Sequence, residues 1–262
     1  MTSERKGRWI ARQEIYYSKI DRSLLYRDSP WQNYIVNRVL DRSGLEQDAL
    51  GLEIGAGMGR YSIHLLERGF NFDPSELSEV QVDEMHRQLE AHHVELPVGR
   101  KIIRSSLEEM AETVSNHYGY VVGFNVLHHI SDLPSAFSSI RTILTEGGSI
   151  AFQEPNPCYI LHHVQAIADP RRRFREELGM LRCTRSGLTR SLHAAGFSEI
   201  RIHAYGFLPP FVVDTRGGMR LEEWVNRINP VTSAFAYLLV TARASGPPRP
   251  TTADRRAGLT GR

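Results

Sequence analysis

The sequence predicts an α/β fold: an open, largely parallel sheet wound with helices on both faces. Three observations lead there. Residues 52–60, LEIGAGMGR, run a buried strand into a glycine turn, and residues 61–68, YSIHLLER, continue with Ile63, Leu65 and Leu66 at helical spacing. Beyond the turn, strand and helix patterns alternate, which is the rhythm of parallel strands joined by crossover helices. The last two apolar runs, SEIRIHAYGF and SAFAYLLVTAR, have no helical crossover of the usual length between them, so the final strand departs from that rhythm.

The elements follow in order. After the polar, basic residues 1–8 come two amphipathic helical patterns, YYSKIDRSLLY and SPWQNYIVNRVLDRSG. In the second, Ser29 suits a helix cap and Pro30 the first turn. Further strands are expected near residues 70–75, 100–104, 119–125, 148–153, 198–204 and 234–243. Pro74 removes a ladder donor from the second strand, which should therefore be short or irregular. The pattern RSGLTRSLHAAGF ends on Gly196, a helix stop. Residues 245–262, rich in Pro, Gly and Arg, offer little to bury and are expected to be disordered.

Composition narrows the function. The 262 residues are 41% hydrophobic, enough for one substantial core. The net charge of +2 resides in the C-terminal tail, whose four arginines face one aspartate, so the rest of the chain is near −1. Such a body is poor material for a sequence-independent nucleic-acid surface. Cys158 and Cys183 form neither a secreted disulfide framework nor a zinc cluster, so a cytoplasmic setting without a bound metal is expected. The charged N-terminus lacks an apolar leader core and no run is long enough to span a membrane, so no membrane partner is expected.

The glycine turn carries the chemistry. A dinucleotide turn has glycines at its first, third and sixth places. Here Gly55, Gly57 and Gly59 occupy the first, third and fifth, and Arg60 takes the sixth. A phosphate-binding P-loop needs a Gly-Lys-Ser/Thr ending that is absent. With Glu53 ahead of the first glycine, LEIGAGMGRYSIHLLERG resembles motif I of the class I S-adenosylmethionine-dependent methyltransferases.

The resemblance continues in order over residues 50–157. An acid at the end of the second strand holds the ribose hydroxyls in that family, and Asp73 and Glu76 are the candidates. Gly69, FNFDPS and then Glu76-Leu77-Ser78 match the family phrase, which favours Glu76. In KIIRSSLEEM, Ser106 and Leu107 stand where many members place an adenine-binding aspartate. The fourth phrase runs through Asn125, Val126 and Leu127-His128-His129, then Gly147-Gly148, to Glu154-Pro155.

What the resemblance implies is a Rossmann-like, doubly wound seven-stranded sheet with a reversed terminal strand, binding S-adenosyl-L-methionine. The cofactor residues it implies are Glu53, Gly55, Ala56, Gly57, Gly59, Glu76, Leu77, Ser106, Leu107, Asn125 and Val126. His128 and His129 are candidate bases, with His162 and His163 as alternatives. Asn125 lacks the Asn-Pro-Pro-aromatic run of enzymes that methylate nucleic-acid amino groups, so a small-molecule acceptor is expected. A protein or nucleic-acid methyltransferase and a catalytically silent cofactor-binding protein are the rival readings.

The expected organisation is N-terminal helices over residues 1–48 covering the active site, a methyltransferase domain over 49–244, and the tail. An insertion near 155–180 would form a lid, and Tyr16, Tyr17, Tyr159 and Ile160 are available to line an acceptor pocket. The sequence does not fix an oligomeric state.

Overall fold

A computed structural model of the chain describes residues 26–107, 109–115, 117–159, 178–228 and 234–246. The expectations for Tyr16, Tyr17, Ile160, His162, His163, most of the lid and most of the tail lie outside the described residues.

Helix α1 (Pro30–Ser43) begins as the sequence predicts: the Ser29 hydroxyl accepts the Gln32 N–H at 3.2 Å, and Gly44 ends the helix in the left-handed region. Strand β1 (Gly51–Ile54) leads through the glycine turn into α2 (Arg60–Glu67). Then come β2 (Phe72–Ser75), α3 (Glu79–Ala91), the short α4 (Met110–Thr113) and β3 (Tyr118–Phe124). A 3₁₀ turn over Leu127–His129 precedes α5 (Leu133–Ile143) and β4 (Leu144–Pro155). The described chain closes with α6 (Arg185–Ala195), β5 (Phe197–Tyr205), α7 (Pro210–Val213), α8 (Gly218–Ile228) and β6 (Tyr237–Ala244).

The sheet has six strands in the order β2-β1-β3-β4-β6-β5. β1, β2, β3 and β4 pair in parallel, and β6 runs antiparallel between β4 and β5, which is the expected reversed terminal strand. The doubly wound fold is as expected, but among the described residues the count is six and not seven. The strand expected at 100–104 is reduced to one bridge, Ser75 to Ile103. Pro74 accounts for that shortening: it has no N–H to carry the ladder on to Lys101, whose own N–H goes instead to the Asp73 carboxylate at 3.2 Å, beside the Arg100 pair at 3.3 Å.

β2 is four residues long, as Pro74 demands, and the Ser75 hydroxyl donates to the Glu53 carbonyl at 2.9 Å, a side-chain donor beside the residue that lacks an N–H. β4 starts earlier than expected. Gly147 and Gly148 lie inside it, where the register against β3 shifts between Tyr118 and Tyr120.

Burial divides by sheet face because side chains alternate along a strand. Leu52, Ile54, Val121, Ile150 and Phe152 meet α5 and α6 through Phe137, Ile140, Leu188 and Leu192. Tyr120, Val122, Ala151 and Leu239 meet α1 and α2 through Ile35, Val36, Val39 and Leu65. Two packed layers hold the carboxyl ends of β1, β2 and β3 side by side, where ligands bind in open α/β sheets.

Candidate active site

The glycine turn after β1 is shaped by close approach. Gly55 has φ +66°, and a Cβ there would lie 2.5 Å from Cγ2 of Val126, the residue after Asn125 in the turn that follows β3. Gly59 has φ +82°, and its Cβ would lie 2.8 Å from Met85 Cγ on α3. Left-handed backbone and missing space together demand glycine at both places. Gly57 also lies in the left-handed region, and Ala56 is buried between the two turns.

Glu76 closes the turn from the β2 side. Its Oε2 accepts the Gly57 N–H at 3.0 Å, while its Oε1 accepts Leu77 N–H at 2.7 Å and Ser78 N–H at 2.9 Å. Burial pushes its carboxyl above the usual range, with the Ser78, Gly57 and Leu77 amides pulling the other way. The side chain is half-buried, and Oε2, with a single donor, keeps lone-pair capacity for hydroxyl groups of a ligand. Asp73, the other candidate acid, is buried and already takes the Tyr118 hydroxyl at 3.1 Å besides Arg100 and Lys101.

Glu53 lies at the foot of the turn. It is buried and accepts the Ser62 hydroxyl at 2.6 Å. Desolvation, with a smaller contribution from Glu76, pushes its carboxyl up to about 7, while Ser62 pulls it down. Ser106 donates its hydroxyl to Glu109 at 3.0 Å, and Leu107 is buried in the core layer beneath α5.

Across from the glycines, β3 ends at Phe124 and the next residue, Asn125, is a non-glycine residue at φ +56°. Asparagine tolerates that conformation better than most residues. Asn125 N–H donates to the Gln153 carbonyl at 2.7 Å, and the Gln153 amide donates back to Asn125 Oδ1 at 3.1 Å. The turn after Asn125 is held by a carboxylate that sequence reading left without a role. Glu154, fully buried on β4, accepts the N–H groups of Val126 at 2.8 Å, Leu127 at 2.7 Å and His128 at 3.3 Å. It also faces His128 Nδ1 at 2.7 Å. An acid closing an apolar strand was the available signal; its partners come from a neighbouring strand and could not be read along the chain.

The two histidines differ. His128 is buried, and with an ionised Glu154 its Nδ1 carries the proton, leaving Nε2 as the basic atom. His129 stacks tilted against it with ring centroids 4.0 Å apart. Desolvation, then His128, holds His129 below its usual range, which leaves a neutral ring at pH 7.

The site thus brings together a three-glycine turn, an acid on the next strand, and an asparagine-led turn from the strand on the other side. A family model described as a methyltransferase domain matches residues 26–201, about two thirds of the chain. The chain belongs to that family. This methyltransferase also resembles solved structures in fold. A SAM-dependent methyltransferase from Archaeoglobus fulgidus is 13% identical, with 81% of this chain and 94% of that chain covered and a TM-score of 0.58.

Magnesium protoporphyrin IX methyltransferase from Synechocystis PCC 6803, solved with bound SAH, is 16% identical with 82% of both chains covered and a TM-score of 0.52. The cyclase SpnF is 18% identical, covering 81% and 80% with a TM-score of 0.54. At these identities the likeness is one of fold. No match was found among curated protein sequences. Membership of that family makes the protein a methyltransferase, an enzyme that uses S-adenosylmethionine. No helix among the described residues is long and apolar enough to cross a membrane.

Proposed function

We propose that this methyltransferase methylates an oxygen or nitrogen of a small-molecule acceptor. The observation that carries the reading is the pair of turns: Gly55 and Val126 pack together at the carboxyl ends of β1 and β3, with Glu76 fastened to Gly57 beside them. Gly55, Ala56, Gly57 and Gly59 form the floor beneath the cofactor, with Glu53 bracing the turn from below. Glu76, with Leu77 beside it, takes the ribose hydroxyls. Ser106 and Leu107 flank the adenine, and Asn125 and Val126 close the methionine side.

The bound sulfonium supplies an already activated methyl group. The chain's own residues therefore align the acceptor and, where it arrives protonated, remove a proton. His128 is placed for that task, because Glu154 fixes its ring and leaves Nε2 as the basic atom. His129 is the weaker candidate, its ring being held below its usual range.

The near-neutral body supports a small acceptor over a nucleic acid, and the unpaired Cys158 and Cys183 fit a cytoplasmic enzyme. The segment 155–180 and the N-terminal helices would set which acceptor enters. Incubating the full chain with S-adenosylmethionine and panels of phenols, carboxylates and amines, and following the demethylated cofactor, tests this. Acceptor-dependent product from a small molecule is the expected result. Turnover on proteins or nucleic acids alone overturns it, and tight cofactor binding without turnover on anything marks a silent binding protein.

A further inference from the structure

Gln153 and Glu154, consecutive on β4, divide the turn after β3 between them. Glu154 holds its backbone and the His128 ring, and Gln153 holds the Asn125 side chain. The Gln153 amide is fully buried; its Nε2 donates to Asn125 Oδ1 at 3.1 Å, and its own Oε1 has no partner. Turning both amides round would make the buried NH2 group the unpaired one, and orphaned N–H groups are rarer in protein interiors than under-satisfied carbonyl oxygens. Asn125 Oδ1 is therefore the arm that faces Gln153.

The other arm of the same planar amide, Asn125 Nδ2, has no hydrogen bond among the described residues and is not buried. His128 offers a second such atom three residues on. Glu154 takes its Nδ1, while Nε2 has no partner among the described residues and still reaches the surface of a largely buried ring. One turn thus presents to a ligand both an N–H donor and a basic nitrogen.

We propose that the atom methylated is a hydroxyl oxygen, as in a phenol or an enol, oriented by Asn125 Nδ2–H and deprotonated by His128 Nε2. The inference rests on the small-molecule reading above and narrows it from oxygen or nitrogen to oxygen. A hydroxyl oxygen carries one hydrogen and two lone pairs. The hydrogen passes as a proton to His128 Nε2, one lone pair attacks the methyl carbon, and the other accepts Asn125 Nδ2–H. The C–O bond forms as the C–S bond breaks, the pair of that bond stays on sulfur, and His128 later gives its proton to water.

A neutral amine fits this pair of groups badly. Its single lone pair is used in the attack, so nothing remains to accept Asn125 Nδ2–H, and that donor faces the amine's own N–H groups. Asn125 Oδ1, the acceptor such an amine needs, is turned towards Gln153. A site that hydrogen-bonds one group rejects the analogue that leaves its polar atoms unpaired.

The test incubates the full chain with S-adenosylmethionine and a panel of phenols and the anilines that match them ring for ring, and counts O-methyl against N-methyl products. The parent should favour oxygen by about a hundredfold or more. Asn125→Asp presents acceptors only and tolerates the same left-handed backbone, so O-methylation should fall about tenfold or more while N-methylation rises. Because that backbone is kept, calorimetric affinity for S-adenosylhomocysteine should stay within about threefold of the parent's. If Asn125→Asp does not fold, Asn125→Gly, which suits the left-handed region, should lower O-methylation without raising N-methylation. A parent that methylates the anilines as well as the phenols, or an oxygen-to-nitrogen ratio that neither variant moves, overturns the proposal and leaves the small-molecule reading standing. Loss of S-adenosylhomocysteine affinity in Asn125→Asp with the ratio unmoved places Nδ2 on the cofactor and overturns it too. A parent that binds S-adenosylhomocysteine but turns over neither class defeats the small-molecule reading itself, and this inference with it.

Discussion

Val126 closes on Gly55 so tightly that a methyl group added to the glycine would lie 2.5 Å from Val126 Cγ2. The turn after β1 and the turn after β3 therefore fit each other before any ligand arrives. Gly55→Ala should destabilise the protein by about 2–5 kcal/mol, from left-handed strain and overpacking together. Adding Val126→Ala should recover the steric part and leave about 1–2 kcal/mol of strain. Urea unfolding of the parent, both single variants and the double variant checks this; strictly additive effects would refute the contact.

Asp73 is expected to act in the fold and not on the cofactor. Buried, it gathers Tyr118, Lys101 and Arg100. Asp73→Ala strands those donors and should cost about 2–3 kcal/mol in unfolding free energy. Cofactor affinity of the folded protein should change less than about twofold, well under the tenfold that 1.4 kcal/mol represents. A large affinity loss without a stability loss would make Asp73 the ribose acid.

Much of the site was legible because its signals are local. The glycine turn, the acid seven places after Gly69 and the order of strands and helices are all read along the chain, as are the caps at Ser29 and Gly196. What escaped depends on neighbours across the sheet. The third strand shrank to one bridge because Pro74 has no N–H to continue the ladder, and Asp73 takes the Lys101 N–H 28 places away. Glu154 gained its role only because β4 pairs with β3 and brings it beneath the turn at Val126–His128. Likewise Gly147 and Gly148 read as a turn, whereas pairing with β3 absorbs them into β4 as an irregularity.

His128→Gln tests the proposed base. If His128 takes the proton, single-turnover methylation should fall about 10²–10⁴-fold, the usual scale for a general base, with cofactor affinity unchanged. The acid-side fall in rate should disappear with it. A variant that keeps both the parent rate and the parent acid-side profile would leave His162, His163 or an unassisted acceptor as the alternative.

Glu53 should make stability fall as pH rises. Its folded carboxyl is raised from 4.5 to about 7, so the folded state binds more protons than the unfolded state between those values. Stability from this group is thus full below about 4.5 and lost as pH passes through about 7, at most about 3 kcal/mol. Glu53→Gln should flatten that part of the profile, read as melting temperature from pH 5 to 8. An unchanged slope in the variant would show that Glu53 is ionised throughout.

The most direct measurement is calorimetric titration of the full chain with the demethylated cofactor, S-adenosylhomocysteine, in the parent and in Glu76→Ala. Glu76 spans Gly57, Leu77 and Ser78, and its Oε2 is the proposed acceptor for the ribose. The parent is expected to bind, and Glu76→Ala to bind about tenfold or more weakly, as befits the loss of charge-assisted hydrogen bonds. Parent-like affinity in a folded Glu76→Ala, or no binding by the parent, would contradict the assignment of this cradle to S-adenosylmethionine.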